Sequence, residues 1–363
     1  MSKMHRPHWK IFSLLVGIAI LLAACSSSVK SDTGIQGSVW VADEHGNSIS
    51  VIDASNNQVI TSLTGVEGPH NIQVAPEQNT VWAVSGHESL ALMVDAKSLK
   101  LHGIVPTGSE PAHVILSPDG KTAYTTNGGD NSITVIDVEK MKALTTISVG
   151  AYPHGLRPSP DGKWVYVANA KDTTLSVIDA ETNTKVKDID VGKAPVQVGF
   201  SPDGKTVYVS LNQENSVGKI DVETQMLVGK VEVGTGPIQV FVTPDNRNVL
   251  VANQGTKEKP GRTVSIIDTI TFTVVDTVET GNGAHGVVVE PSGRFAYITN
   301  IYDNTVSVLD ISSRKVVATI PVAEGPNGIS FSTTTPTNIS SSKIELPMPA
   351  HNDTMENMPS MDH

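Results

Sequence analysis

The sequence predicts an all-β fold, a seven-bladed β-propeller of four-stranded antiparallel blades, and three observations carry that prediction. An apolar triplet closed by aspartate recurs seven times, ending at Asp53, Asp95, Asp137, Asp179, Asp221, Asp268 and Asp310; five of the six intervals are 42 residues and the sixth is 47. A period in the forties with several short strands per unit marks a propeller. An aromatic slot keeps the same phase, with Trp40, Trp82, Tyr124, Tyr166, Tyr208 and Tyr297, and Leu250 in the remaining copy. Finally, the first repeat lacks its opening strand, while the array closes on an orphan strand at 327–332. Pairing the orphan beside residues 38–42 completes a seventh blade and removes the open sheet edges that template aggregation.

Within one repeat the elements follow in order. Residues 196–201 alternate as a strand, Pro202-Asp203-Gly204-Lys205 turns the chain, and 207–211 return as a second strand. A polar loop at 212–215 leads to a third strand at 217–221, and Glu223-Thr224 turns into a fourth at 227–233. The aromatic slot in the second strand is expected to pack between blades. The seven aspartates are expected to hold their turns through Asx-type hydrogen bonds, because seven equivalent carboxylates cannot all be catalytic. The extra residues of the long interval form an insertion at 255–262 with Lys257, Lys259 and Arg262.

Tyr124-Thr125-Thr126-Asn127, Tyr166-Val167-Ala168-Asn169 and Tyr297-Ile298-Thr299-Asn300 resemble the tetrapeptide that names the YVTN-repeat propellers. Ser117-Pro118-Asp119-Gly120, Ser159-Pro160-Asp161-Gly162 and Ser201-Pro202-Asp203-Gly204 resemble that family's inter-strand turn. The resemblance spans residues 39–332 and implies the fold. It leaves function open, because the family holds surface-layer proteins, periplasmic binding proteins and the propeller half of nitrous-oxide reductase. In that reductase, propeller histidines hold a copper–sulfide cluster. Four histidines, with no domain carrying a cysteine-ligated copper, argue against the same activity here.

Both ends of the chain differ from the repeats. Residues 1–24 read as a signal peptide, with Lys3, Arg6 and Lys10 ahead of a short apolar stretch. Leu22-Ala23-Ala24-Cys25 resembles a bacterial lipobox, which implies cleavage before Cys25 and acylation of its sulfur. The expected organisation is a lipoprotein signal at 1–24, a lipidated tether at 25–38, the propeller at 39–332, and a disordered linker with a Met/His-rich tail at 333–363. The expected location is extracytoplasmic, with the membrane as a partner through two or more acyl chains. Cys25 is the one cysteine, so packing and strand closure must hold the exported domain without disulfides. Removing residues 1–24 takes the net charge from −11 to −14. That distributed acidic balance argues against nucleic-acid binding, which needs a basic face. A monomer is expected.

Two clusters could carry chemistry. The tail holds Met348, His351, Met355, Met358, Met361 and His363 with few bulky apolar neighbours. Thioethers are soft ligands that select Cu(I), so copper is the candidate cofactor there. The second cluster lies in the loops entering the innermost strands: His70 and His154 follow proline, His285 holds the same slot, and His113 comes one position later. With Asn327, these residues come from five consecutive blades and are expected to line one arc of the channel mouth, with the 255–262 insertion on the same side. Either Pro-His suits the turn sterically, or the imidazoles bind Cu(II), Zn(II) or an anion, with metal affinity falling near pH 6. The functional expectation is a non-catalytic binding or interaction module, with a metal ion or an extracytoplasmic protein as partner. The alternative is a propeller lactonase, for which Glu67 and Glu110 are the nearby carboxylates. Phosphate loops, serine-nucleophile elbows and HExxH zinc motifs are absent.

Overall fold

A computed structural model describes Met1 and residues 33–75, 78–337, 339 and 341–348. Residues 33–348 carry seven antiparallel sheets whose innermost strands neighbour one another in a closed ring. The repeat read from the sequence is one blade: Pro195–Phe200, Thr206–Leu211, Ser216–Asp221 and Met226–Glu232 pair in that order from the channel outwards. The second and third strands of each blade lie between neighbouring blades, buried on both faces, and therefore read as continuous apolar runs. The outermost strands see solvent and alternate, as in Lys315–Pro321. The aromatic slot packs as expected. Tyr166 lies in one apolar cluster with Val198 and Val207 of the next blade, and Tyr297 in another with Val39 and Phe331.

Closure is by the mixed blade that the strand count predicts. Pro326–Ser332 pairs antiparallel with Ser38–Asp43, placing Ser38 opposite Ser332 and Val41 opposite Ile329. Side chains lock the junction: Ser38 Oγ donates to the Thr334 carbonyl at 2.7 Å, and Thr33 Oγ1 donates to the Ala54 carbonyl at 2.6 Å.

The repeated motifs resolve into turn and hairpin chemistry. Asp179 Oδ1 accepts the backbone N–H groups of Glu181 and Thr182, and Asp268 Oδ1 those of Ile270 and Thr271. The asparagine that closes the YVTN tetrapeptide cross-links two strands. Asn127 Nδ2 donates to Ser132 and Thr134, and Asn169, Asn253 and Asn300 repeat the pattern on their own hydroxyl pairs. The mixed blade carries Asp43 in this slot, accepting from Ser50 Oγ at 2.6 Å.

Two segments refine the expectations. The 255–262 insertion lengthens a hairpin rather than forming a loose loop: Asn248–Gly255 pairs with Pro260–Asp268, and Thr256 N–H donates to the Lys259 carbonyl across the tip. The stretch expected to be a disordered linker is ordered in part. Lys343–Glu345 adds parallel to Gln58–Thr64 as a fifth strand of the mixed blade. Leu346 is 3% exposed within that blade's apolar cluster. The reason is an apolar edge left open by the outermost strand, which Ile339, Ile344 and Leu346 cover. A strand this short has no periodicity to read. Residues 1–24, apart from Met1, and Cys25 lie outside the described residues, as do His351, Met355, Met358, Met361 and His363.

Candidate metal centre

The innermost strands all break register just after they begin. Pro69 pairs with Ser85 and Ile72 with Ala83, so His70 and Asn71 together face Val84. The same two-against-one bulge follows Pro111, Pro153, Pro195, Pro237 and Ala284. A bulge re-aims side chains that strict alternation would send to opposite faces. His70 and His154 from the first bulge position therefore meet His113 from the second. Ring centroids lie 4.7 Å apart for His113–His154, 5.1 Å for His70–His154 and 5.7 Å for His70–His113. One ligand-capable nitrogen from each of these three lies within 4.8 Å of the others. His285 stands beside the group, 6.5 Å from His70.

Hydrogen bonding leaves nitrogens free for a ligand. His154 Nδ1 is 3.3 Å from the Val196 carbonyl, so that nitrogen carries the proton and Nε2 keeps its lone pair. This is the second-shell arrangement that orients a metal-binding imidazole. His113 Nδ1 lies 3.4 Å from Gln197 Nε2, whose amide oxygen accepts from Val198 N–H at 2.9 Å. Gln197 reaches across because Gly155 stands between; a Cβ there would collide with the Gln197 amide. His70 Nδ1, His113 Nε2 and His285 Nδ1 are buried without a hydrogen-bond partner. Buried polar atoms are rarely left so, and a bound ion would satisfy them.

Electrostatics keep His113, His154 and His285 neutral. Burial, then the neighbouring imidazoles and Arg157, hold His113 well below the ordinary histidine value. Burial first, then His70 and His285, takes His154 down to about 3. Burial and His70 take His285 to about 4 against the pull of Glu44. His154 Nε2 therefore keeps its lone pair at neutral pH, whereas Gln197 donates to His113 Nδ1 and leaves the proton on Nε2, so His113 would give up the Gln197 contact to present Nε2 to a metal. Burial alone would raise Glu44, but His70, the bond from Asn327 Nδ2 at 2.7 Å, His285 and His45 outweigh it and leave the carboxyl below its ordinary range. Deeper along the His154 strand, burial lowers Arg157 to about 10, still charged at neutral pH.

Above the imidazoles opens a pocket of about 250 Å³, lined by Glu44, His70, His87, Glu110, Tyr152 and His154 among others. Loops from the outermost to the next innermost strand and hairpin loops both reach it, as expected from strand direction. The inserted hairpin joins the same face, with Gly283 N–H donating to the Gly261 carbonyl. Met348, by contrast, packs against the apolar cluster of the mixed blade. Sequence reasoning missed Glu44, His87 and Tyr152. A signal was present for Tyr152 and Glu110. The residue before each innermost strand is left-handed; Gly68, Gly236, Gly283 and Gly325 fill it in four blades, Glu110 (φ 51°) and Tyr152 (φ 54°) fill it at the pocket, and Ala194 (φ 53°) fills it away from the pocket. Side chains in a glycine position are strained and cluster at functional sites.

No curated protein sequence matches the chain. Among solved structures, hydrazine synthase of Kuenenia stuttgartiensis is similar, at 25% identity over 73% of this chain and 90% of that one, with a TM-score of 0.67. A functionally unknown protein from Desulfotomaculum acetoxidans aligns at 19% identity over 83% and 99%, TM-score 0.72. A proposed 6-phosphogluconolactonase from Bacteroides uniformis aligns at 16% over 82% and 99%, TM-score 0.70. The last two share the fold alone. The YNCE-like β-propeller family profile matches residues 90–334, most of the ring, and the chain belongs to that family.

Proposed function

We propose that this propeller is a non-catalytic binding module that holds a borderline transition-metal ion, Cu(II) or Zn(II), at the channel mouth through His70, His113 and His154. The observation that carries the reading is the convergence of three imidazoles from three successive blades, with one ligand-capable nitrogen of each within 4.8 Å of the others. Neutral imidazole is the commonest ligand for these ions. Three protein ligands leave a coordination position open towards the mouth pocket. The test is calorimetric titration of the purified protein with Zn(II) and Cu(II). One saturable site per chain is expected, lost in His113→Ala/His154→Ala with unchanged circular dichroism. Wild-type protein that shows no saturable site for either ion would refute the proposal.

The proposal extends to location. The lipobox-like Leu22-Ala23-Ala24-Cys25 supports a propeller held outside the cytoplasm by an acylated Cys25, with two or more chains supplying a stable anchor. Cys25→Ala is expected to move the protein from the membrane fraction to the soluble one; wild-type protein recovered wholly as soluble would refute the anchor.

A second reading, lactone hydrolysis, draws on Glu44 and Glu110 facing the imidazoles across one pocket. That acidic lining opposes a phosphorylated substrate, so the substrate would be a neutral sugar lactone. An assay with gluconolactone decides it: turnover abolished by Glu44→Gln would favour this reading over the first.

A further inference from the structure

The aromatic slot of the second strands marks a level in the channel, because one residue of each innermost strand stands opposite it. Gln73, Ile115, Gly199, Phe241, Val288 and Ser330 hold that position in six blades, and Arg157, opposite Tyr166, holds it in the seventh. Arg157 is therefore the one ionisable side chain at this level. It follows His154 by three residues on the strand Pro153–Pro158, which carries it at most roughly 10 Å deeper than the imidazoles at 3.3 Å per residue.

A guanidinium in such a place needs oxygen acceptors. Burial lowers Arg157 to about 10, so it is still charged at neutral pH. Arg294 and Arg314 find their acceptors elsewhere in the molecule, with Nη1 donating to the Thr33 carbonyl and to Asp276. Arg157 does not. Its Nη1 is buried without a hydrogen-bond partner, and it enters none of the seven ion pairs among the described residues. Its level supplies no anionic oxygen: Ser330 Oγ accepts from Val74 N–H, Gln73 Nε2 donates to the Val74 carbonyl, and Gly199 in the next blade has no side chain. Nor is the charge balanced from above, where His113, His154 and His285 are neutral and the Glu44 carboxylate takes its bond from Asn327 at the mouth. An unpaired buried charge is costly, and native structures meet such a group with a protein partner, an ion or water. Arg157 as a whole is half-buried, so part of its surface stays open for a partner to reach.

We propose that Arg157 binds a small monovalent anion inside the channel, beneath the histidines, and that a planar oxyanion such as nitrate or formate fits it best. One positive charge is balanced by one negative charge. A dianion would leave an excess in the channel, and Glu44 and Glu110 in the mouth pocket oppose its entry. The guanidinium fork gives a planar oxyanion two parallel N–H bonds, whereas a halide is held as a point charge. This site goes beyond the metal reading and does not depend on it, since the guanidinium is unpaired whether or not the imidazoles hold an ion.

Chloride NMR linewidths on the metal-free protein test the proposal, with nitrate and sulfate as competitors at matched ionic strength. Wild type, Arg157→Met and Arg157→Lys are compared, each with its circular dichroism checked. Wild type is expected to broaden the chloride line, and nitrate to remove the broadening at about a tenfold lower concentration than sulfate. Arg157→Met should lose the broadening that nitrate displaces. Arg157→Lys keeps the charge without the fork, so it should retain the broadening while nitrate loses its advantage over chloride. If Arg157→Met does not fold, the order of nitrate and sulfate in wild type together with the lysine variant still decides the question. Broadening that persists unchanged in Arg157→Met would place the anion on surface cations and overturn the site. No displaceable broadening in wild type would mean that channel water alone solvates the guanidinium, which also overturns it. Either failure leaves the Zn(II) and Cu(II) titrations of the histidine set untouched.

Discussion

Two arcs of the same ring share one backbone and differ in chemistry. From the His285 blade through the mixed blade to the His154 blade, the first bulge positions carry His285, Asn327, His70 and His154, and His113 fills the second position of its blade. Across the channel the equivalent first positions are Val196 and Ile238, and the second positions Gln197 and Gln239 reach other blades as hydrogen-bond donors, to His113 and to the Val287 carbonyl. The bulge is present in both arcs, so the re-aimed geometry belongs to the scaffold. Only the residues placed on it differ. The left-handed position ahead of the innermost strand does not separate the arcs: Glu110 and Tyr152 fill it in two polar blades, and Ala194 (φ 53°) and Gly236 fill it on the apolar side. A repeat protein thus makes a site by departing from its own consensus at positions the consensus has already aimed inwards.

The comparison is broken most severely by opening the ring. Truncation after Thr319 removes the closing strand, with Ile329 and Phe331 from the apolar core, and exposes two sheet edges. Loss of the whole cooperative unfolding transition is expected; a truncated protein melting at the wild-type temperature would show that closure is dispensable.

Asp43 is the next largest lever. Burial pushes its carboxyl up to about 7, and the bonds from Ser50 and Ser48 offset this only in part. Four other blades place asparagine in the same slot. Because the folded value exceeds the unfolded one of 3.8, stability is full below about pH 4, falls as pH rises, and is fully reduced above about pH 7. Asp43→Asn is therefore expected to stabilise the protein by up to about 4 kcal/mol at pH 8, at roughly 1.4 kcal/mol per pKa unit, and by almost nothing at pH 4. Denaturant midpoints at the two pH values measure this, and an equal gain at both would contradict the assignment.

The polar arc itself is tested by His154→Ala, which removes one of three ligands together with its bond to the Val196 carbonyl. Zn(II) affinity is expected to fall about 100-fold, or about 2.7 kcal/mol, whereas Ile238→Ala on the opposite arc should leave it within twofold. Equal losses would mean that the arcs are not distinct. The smallest effect is expected from Glu110→Gly. Relieving a left-handed side-chain position should stabilise the fold by about 1 kcal/mol, readable as a raised melting temperature. A destabilised variant would indicate that the hydrogen bond between the Glu110 and Tyr152 side chains outweighs the strain.

How legible these features were depends on whether they repeat. The blades and the Asx turns were visible because their signals recur up to seven times in phase, and the mixed closure because the strand count balances only with it. The histidines were visible as a set because they share the approach to the innermost strands, but the meeting of His113 with His70 and His154 was not. Sequence alternation would put adjacent positions on opposite faces, and only the bulge brings them together. Glu44 and His87 lie in hairpin turns of two different blades, where charged residues are ordinary, so nothing singled them out. The strap at Lys343–Glu345 was unreadable because its partner edge exists only once the ring is closed.

The mixed blade also determines how the molecule bears mechanical load. Ser38 faces Ser332 at one end of the antiparallel pair, so the chain enters and leaves that pair at the same end. Tension between the N-terminal side and residue 332 would peel the strands one pair at a time rather than shear them together. The bond from Ser38 Oγ to the Thr334 carbonyl, and that from Thr335 Oγ1 to the Gly37 carbonyl, sit at this fork. The strap beyond them runs to the opposite edge of the same sheet, held by Ser62 N–H on the Ser342 carbonyl and by buried Leu346. A pull on the tail would have to strip that edge before it reached the fork, so the strap acts as a strain relief for the seam that closes the ring.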